Sequence, residues 1–183
     1  HAKRSKTIRI YFVNAHCVNI SKRDSEYLNC LQGADYVFAD GVGMNMASKL
    51  LGKPLRDNVN GTDLYPELCQ TLSLTDIQMY LLGGREGIAA AMKTRSEKCY
   101  PGLKICGVHH GFYSDDESVV KRIQQSQTDI LLVALGVPKQ EKWIEKHYAK
   151  TEAKVVLGVG GLFDFYSGTI PRAPMWMRRW GLE

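Results

Sequence analysis

Short apolar runs rich in β-branched and aromatic residues alternate along this chain with stretches whose apolar residues recur every three or four positions. Thr7 to Val13, Asp35 to Ala39, Ile77 to Leu82, Leu103 to Val108, Asp129 to Leu135 and Lys154 to Val159 are the runs, and each reads as a strand. Between them, Asp24 to Leu31, Val42 to Leu51, a segment opening at Gly61-Thr62-Asp63 with Leu64, Leu68 and Leu72 in step, about Glu86 to Lys98, Asp115 to Gln125 and Pro138 to Tyr148 read as helices. Thr62 or Asp63 is expected to cap the third of these, Gly52-Lys53-Pro54 to end the second, and Pro101-Gly102 to end the fourth. The unbroken run DILLVAL at 129–135 has the pattern of a central parallel strand covered on both faces. Strand–helix alternation at this spacing predicts an α/β fold: one doubly wound, mainly parallel sheet of about six strands with helices on both faces, Rossmann-like in layout. No repeat, low-complexity tract or linker interrupts it, so residues 1–183 read as a single domain.

Composition narrows the class without changing the fold. Hydrophobic residues at 44% and charged residues at 23% are those of a soluble globular protein. No window reaches the roughly 18 apolar residues of a membrane span. A net charge of +5 without long Lys/Arg runs suits an anionic ligand or an anionic membrane surface and gives no sign of a nucleic-acid partner. Cys17, Cys30, Cys69, Cys99 and Cys106 are irregularly spaced with no C-x-x-C, which predicts reduced thiols in a cytoplasmic protein. There is no H-x-x-x-H, and no metal or cofactor is expected.

The candidate chemistry lies in the loops after the strands, which in such a fold share one edge of the sheet. Asp40-Gly41-Val42-Gly43 follows a strand and opens a helix, so Asp40 sits at a strand tip where ligands bind, and also where a helix N-cap belongs. The other loops are Asn14-Ala15-His16, Gly83-Gly84-Arg85, His109 to Tyr113, Gly136 to Glu141 and Gly158 to Phe165. Together they suggest a cleft with phosphate near helix N-termini. A dinucleotide fingerprint is missing: the first strand leads into Asn14-Ala15-His16, and Met46 stands where the third glycine after Gly41 and Gly43 would fall. No P-loop and no D-x-D triplet occurs. A sugar diphosphate would therefore be neutralised by helix N-termini and by Lys139, Arg85 or Arg172, each of which also fits a solvated surface cation. His16 fits either a substrate hydroxyl or a loop role, Phe112 and Tyr113 either base stacking or packing, and Gln140 and Glu141 either the ligand or the solvated start of a helix. The tail from Pro171 to Trp180 mixes Arg with Trp and Met, which suits a membrane interface or a terminal helix packed on the domain.

Taken together, VNAHCVNIS, ADGVGMNMASKLLG, NVNGTDLYPELC, YLLGGREG, PGLKICGVHHGFY, DILLVALGVPKQEKWI and VLGVGGLFDFYSGTIPRAPMWMRRWGLE resemble the WecG/TagA/CpsF family of glycosyltransferases over nearly the whole chain from about residue 8. The resemblance implies an inverting transfer from a UDP-sugar to a polyprenyl-diphosphate-linked sugar by a peripheral protein on the cytoplasmic face of the membrane, and with no D-x-D triplet the transfer is expected to be metal-independent. It makes Asp40 the base and matches Asn14, Gln140 and Asp164 to family positions. The expected substrate-binding set is Asn14, His16, Gly41, Asn60, Gly61, Thr62, Asp63, Gly83, Gly84, Phe112, Tyr113, Gly136, Lys139, Gln140, Gly161, Asp164 and Arg172. The chain departs from the family in two places. Asn58 stands where many members carry an Arg proposed to meet the diphosphate, which leaves Arg56 or another cation for that task and the donor sugar open. The sequence also stops after G-L-E, short of a basic C-terminal appendage, so a truncated core of weak or no activity is expected. Self-association is compatible with the resemblance. The alternatives are a non-catalytic nucleotide-sugar-binding module and, disfavoured by the missing fingerprint, a dinucleotide-dependent oxidoreductase.

Overall fold

The structure is a computed structural model and describes residues 7–56 and 58–169. Its elements in chain order are β1 (Ile8–Val13), α1 (Ala15–Ser21), α2 (Ser25–Gly33), β2 (Tyr36–Ala39), α3 (Val42–Leu50), α4 (Gly61–Leu72), β3 (Gln78–Gly83), α5 (Ile88–Cys99), β4 (Lys104–His109), α6 (Asp116–Gln125), β5 (Ile130–Ala134), α7 (Lys139–Thr151), β6 (Val155–Gly158) and α8 (Leu162–Ser167). The strands form one six-stranded sheet in the order β2-β1-β6-β5-β3-β4. Every pairing is parallel. β1 is thus flanked by β2, reached early in the chain, and by β6, reached late, so loops from both ends of the sequence meet at its carboxyl tip.

Side-chain alternation along the strands feeds two cores. Met79, Leu81, Ile130, Leu132 and Leu157 point to a layer made by α4, α5 and α8, where Tyr65, Cys69, Met92 and Phe163 are buried. Tyr80, Leu82, Leu131, Val133 and Val156 point the other way, to Val119 and Ile123 of α6 and Trp143 and Ile144 of α7. β5 is buried at every position, as a strand covered on both faces must be. Fully burying each such side chain contributes on the order of 1.5–3 kcal/mol.

Two helices depart from the sequence-based expectation. α1 starts immediately after β1, and α8 occupies the Leu162–Ser167 stretch that reads as a loop. Both are about two turns or fewer, too short for apolar periodicity to declare itself. The cap of α4 also differs. It is Asn60, whose Oδ1 accepts the Asp63 N–H at 2.7 Å and the Thr62 hydroxyl at 2.8 Å; an Asn at this position caps as well as Thr or Asp.

At the junction of β3 and β5 the backbones come very close. Gly83 has φ 139°, and a Cβ there would lie 2.3 Å from the carbonyl oxygen of Ala134. The glycine permits the strand pairing. At the opposite edge, β2 is short and half-exposed, and α3, which follows it, buries no residue.

Candidate functional site

The carboxyl tips of β1 and β2 are locked side by side. Val13 is in register with Ala39, and the Asp40 N–H donates to the Val13 carbonyl at 2.9 Å. The chain then turns at Gly41, whose φ of 89° is strained for any residue with a Cβ. Asn58 holds this turn: its Oδ1 accepts the Gly41 N–H at 3.1 Å and its Nδ2 donates to the Gly41 carbonyl at 2.8 Å. Next to it the Val59 N–H donates to the Ala39 carbonyl at 3.1 Å. The segment 58–60 therefore runs along the end of β2 and delivers the N-terminus of α4 to Asp40. The positive end of that helix dipole faces the same space. The Tyr166 hydroxyl of α8 donates to the Thr62 carbonyl at 2.6 Å and ties the last described helix to it.

These elements enclose a cavity of about 200 Å³ lined by Phe12, Asp40, Gly41, Asn60, Gly61, Thr62, Val159, Gly161, Leu162 and Phe165. Polar groups from β2 and α4 face an apolar wall from β1, β6 and α8. This volume is below the roughly 300–1,000 Å³ of a typical ligand pocket, room for one part of a larger ligand. Asp40 is half-buried in it. Burial, followed by the nearby negative charge of Asp63, raises its pKa above the ordinary aspartate value. That is the direction a general base working near neutral pH requires.

Gln140 and Glu141, which the sequence also allows as a solvated helix start, are both buried, Gln140 at 2% exposure and Glu141 at 0%. Gln140 Nε2 donates to Glu141 Oε1 at 2.9 Å, and Gln140 Oε1 accepts the Gly160 N–H at 3.0 Å. Gln140 thus acts on the cavity through backbone, by fixing the turn that presents Gly161. The first turn of α7 fits here because Gly158 leaves space above it; a Cβ at 158 would lie 3.2 Å from Gln140 Nε2. Glu141 Oε2 is buried with no hydrogen-bond partner among the described residues, and burial pushes its pKa up to about 7.

The structure therefore gathers Asp40, Gly41, Asn60, Gly61, Thr62 and Gly161 from the expected set around one cavity, with Asp63 acting on Asp40 electrostatically. Asn14 sits one residue past the β1 tip, beside Asp40 in register, and its side chain caps α1 through the Cys17 N–H at 3.1 Å. His16 is exposed on α1, and Asp164 lies in the first turn of α8. Gly83 ends β3 and Gly84 follows it, across the sheet from β2, and both are closely packed. Gly136 accepts the Gln140 N–H at the start of α7. Phe112 is exposed, while Tyr113 packs on the α6–α7 core with Lys139 Nζ 6.0 Å from its ring centroid. Arg172 and the 171–180 tail lie outside the described residues. Asn58, Phe12 and Val159 are site residues that motif reading missed; the only sequence trace of Asn58's role was its departure from the family pattern.

A larger hollow of about 780 Å³ lies between α2 and α7. Of its cations, Lys142 pairs with Asp24 and Glu26 and Lys146 with Asp116, while Lys139 lies 6.0 Å from the Tyr113 ring centroid. The start of α7 also borders it, but against the effect of burial its Asp116 is held below the ordinary aspartate value by Lys146 and His147, whereas Asp40 in the smaller cavity is raised, and the smaller cavity is the candidate site.

A sequence model described as the glycosyl transferase WecG/TagA/CpsF family matches residues 1–183. The chain is 32% identical over 171 residues to the N-acetylglucosaminyldiphosphoundecaprenol N-acetyl-beta-D-mannosaminyltransferase of Bacillus subtilis (strain 168), covering 93% of this chain and 67% of that protein. It is 34% identical over 175 residues to the protein of the same description from Staphylococcus aureus (strain MRSA252), covering 95% and 68%. A third, from Bacillus spizizenii, is 34% identical over 161 residues, covering 88% of this chain and 63% of the relative. The chain spans about two thirds of the length of these relatives.

Proposed function

Since the chain belongs to the WecG/TagA/CpsF family of glycosyltransferases, we propose that it moves a sugar from a UDP-sugar to a hydroxyl of a polyprenyl-diphosphate-linked glycan, with inversion, and that Asp40 is the base. The observation that carries this reading is a half-buried carboxylate, raised in pKa, facing a cavity that also receives the N-terminus of α4. The printed descriptions of the relatives, which name a diphosphoundecaprenol-linked acceptor, support the acceptor class.

In the proposed step, the Asp40 carboxylate takes the proton of the acceptor hydroxyl. The freed oxygen forms its bond to the anomeric carbon as the bond from that carbon to the UDP oxygen breaks on the opposite face. The electron pair leaves with UDP. The positive end of α4 and nearby basic groups stabilise the charge gathering on the diphosphate. With no D-x-D triplet in the sequence, protein groups rather than a metal carry that task. Asn58 keeps the Asp40–Gly41 turn rigid, and Gln140 keeps the Gly160–Gly161 turn in place. Among the described residues no helix is long and apolar enough to cross a membrane; the reading sets the protein at a membrane surface because the proposed acceptor is lipid-linked.

The test is a transfer assay with the full-length protein, a panel of UDP-sugars and a polyprenyl-diphosphate-linked acceptor. The expected result is UDP release that requires both substrates, with the product anomer inverted relative to the donor. UDP-sugar binding with no release for any donor would favour a non-catalytic binding module, and binding of NAD in place of UDP would overturn the reading.

A further inference from the structure

α3 is built inside out. A helix on a globular surface turns its apolar stripe inward. Here Val42, Gly43, Met46, Ala47 and Leu50 are all exposed, while Asn45 and Ser48 are among the half-covered positions. Met46 is 61% exposed, Leu50 86% and the following Leu51 77%. Val42, Met46 and Leu50 are four residues apart and share one face. The segment is nonetheless held in place: the Ser48 carbonyl accepts the Lys53 N–H at 2.9 Å, and the Leu55 N–H donates to the Ser48 hydroxyl at 3.4 Å. Its outward apolar stripe is a feature of a defined helix.

Charge identifies what covers the stripe. From Gly41 to Arg56 there are three cations, Lys49, Lys53 and Arg56, and no carboxylate. In a two-fold interface with a second copy the same patch meets itself, which sets these cations against their own equivalents. An anionic lipid surface neutralises them while the apolar stripe enters the headgroup boundary. α3 also begins two residues after Asp40, so whatever holds this helix holds the site.

We infer that α3 and the loop to Arg56 are a lipid-contact surface that seats the Asp40 cavity against an anionic membrane. The inference rests on the proposed transfer reaction only for the reason that a lipid-linked acceptor would be met there; the contact itself depends on neither donor nor acceptor.

The experiment is vesicle flotation of the full-length protein without substrates, using phosphatidylcholine alone or mixed with phosphatidylglycerol. The wild type should float with the mixed vesicles and much less with phosphatidylcholine. Met46→Glu with Leu50→Glu, and separately Lys49→Glu with Lys53→Glu, should each lower partitioning about tenfold or more. All four positions are exposed, and an unchanged thermal melt would confirm that the variants fold. With an acceptor embedded in vesicles, turnover should fall in step with binding, whereas turnover on a short-chain, water-soluble acceptor should not change. Unchanged flotation in both variants would overturn the inference, as would conversion of an oligomer to a monomer with vesicle binding intact, which would assign the face to a second copy. Absence of all transfer with normal, variant-sensitive flotation would count against the reaction and leave the lipid contact standing.

Discussion

Asn58 and Gly41, 17 residues apart, are joined at two points, so neither the peptide before Gly41 nor the one after it can rotate without breaking a hydrogen bond. The position identified in sequence as a lost phosphate contact is, in this chain, a clamp on the turn that carries the proposed base. The pair is exposed to solvent, so its value lies in orientation more than in stability.

Asn58→Ala should therefore lower kcat about tenfold with little change in donor KM, while costing about 1 kcal/mol or less in stability. Asn58→Asp keeps the acceptor for the Gly41 N–H and loses the donor, and should fall between. Steady-state kinetics beside a denaturant melt would check this. A loss in stability alone, with kcat intact, would reduce the clamp to a structural role.

Asp63 is the second cause of the raised Asp40 pKa, after burial. A neighbouring negative charge disfavours ionisation, so Asp63→Asn should lower the Asp40 pKa and move the acid limb of the kcat/KM profile to lower pH. Asparagine can still accept the 2.9 Å hydrogen bond from Asn60 Nδ2, which keeps the helix cap together. An acid limb that stays in place would separate Asp63 from the base.

Glu141 gives a pH dependence of opposite use. Its carboxyl keeps its proton in the folded protein up to about 7, against an ordinary value of 4.5. The folded state binds the proton more tightly, so this contribution is fully present below about 4.5 and is lost as pH rises through about 7. Glu141→Gln removes the titration and should be more stable than wild type at pH 8 by up to about 3 kcal/mol, at 1.36 kcal/mol per pH unit, with little gain at pH 4.5. Denaturant melts across that range would show it; parallel pH curves for the two proteins would contradict it.

Gly83→Ala tests the sheet. The added methyl would meet the Ala134 carbonyl at 2.3 Å with φ at 139°, so the β3–β5 pairing would have to part. A loss of more than about 3 kcal/mol is expected from thermal or denaturant unfolding.

The strands were legible because each is an apolar run bounded by turn residues, and DILLVAL foretold the full burial of β5. α1 and α8 were not, because seven and six residues do not complete a periodic pattern. At the site, Asp40 and Gly41 could be placed from the rule that ligands meet strand tips, while the Asn60–Thr62 segment, which follows a loop rather than a strand, entered only with the family resemblance. The burial of Gln140 and Glu141 could not: an amide and a carboxylate at a helix start look solvated until the glycine above them, Gly158, is known to leave room. The Asn58–Gly41 pair was hidden for a different reason, since two irregular segments far apart in sequence carry no periodicity that predicts their meeting. Gly83 and Gly84, expected as ligand contacts, also have packing roles that the sequence does not show, Gly83 against Ala134 of β5 and Gly84 against Ile88 of α5.

The most direct measurement compares wild type and Asp40→Asn in the full-length protein, following UDP release at saturating donor and acceptor and UDP affinity by calorimetry. A positioned base contributes about 10²–10⁴-fold, so kcat should fall on that scale while UDP affinity changes little. Wild-type turnover by Asp40→Asn would contradict the assignment of Asp40 as the base.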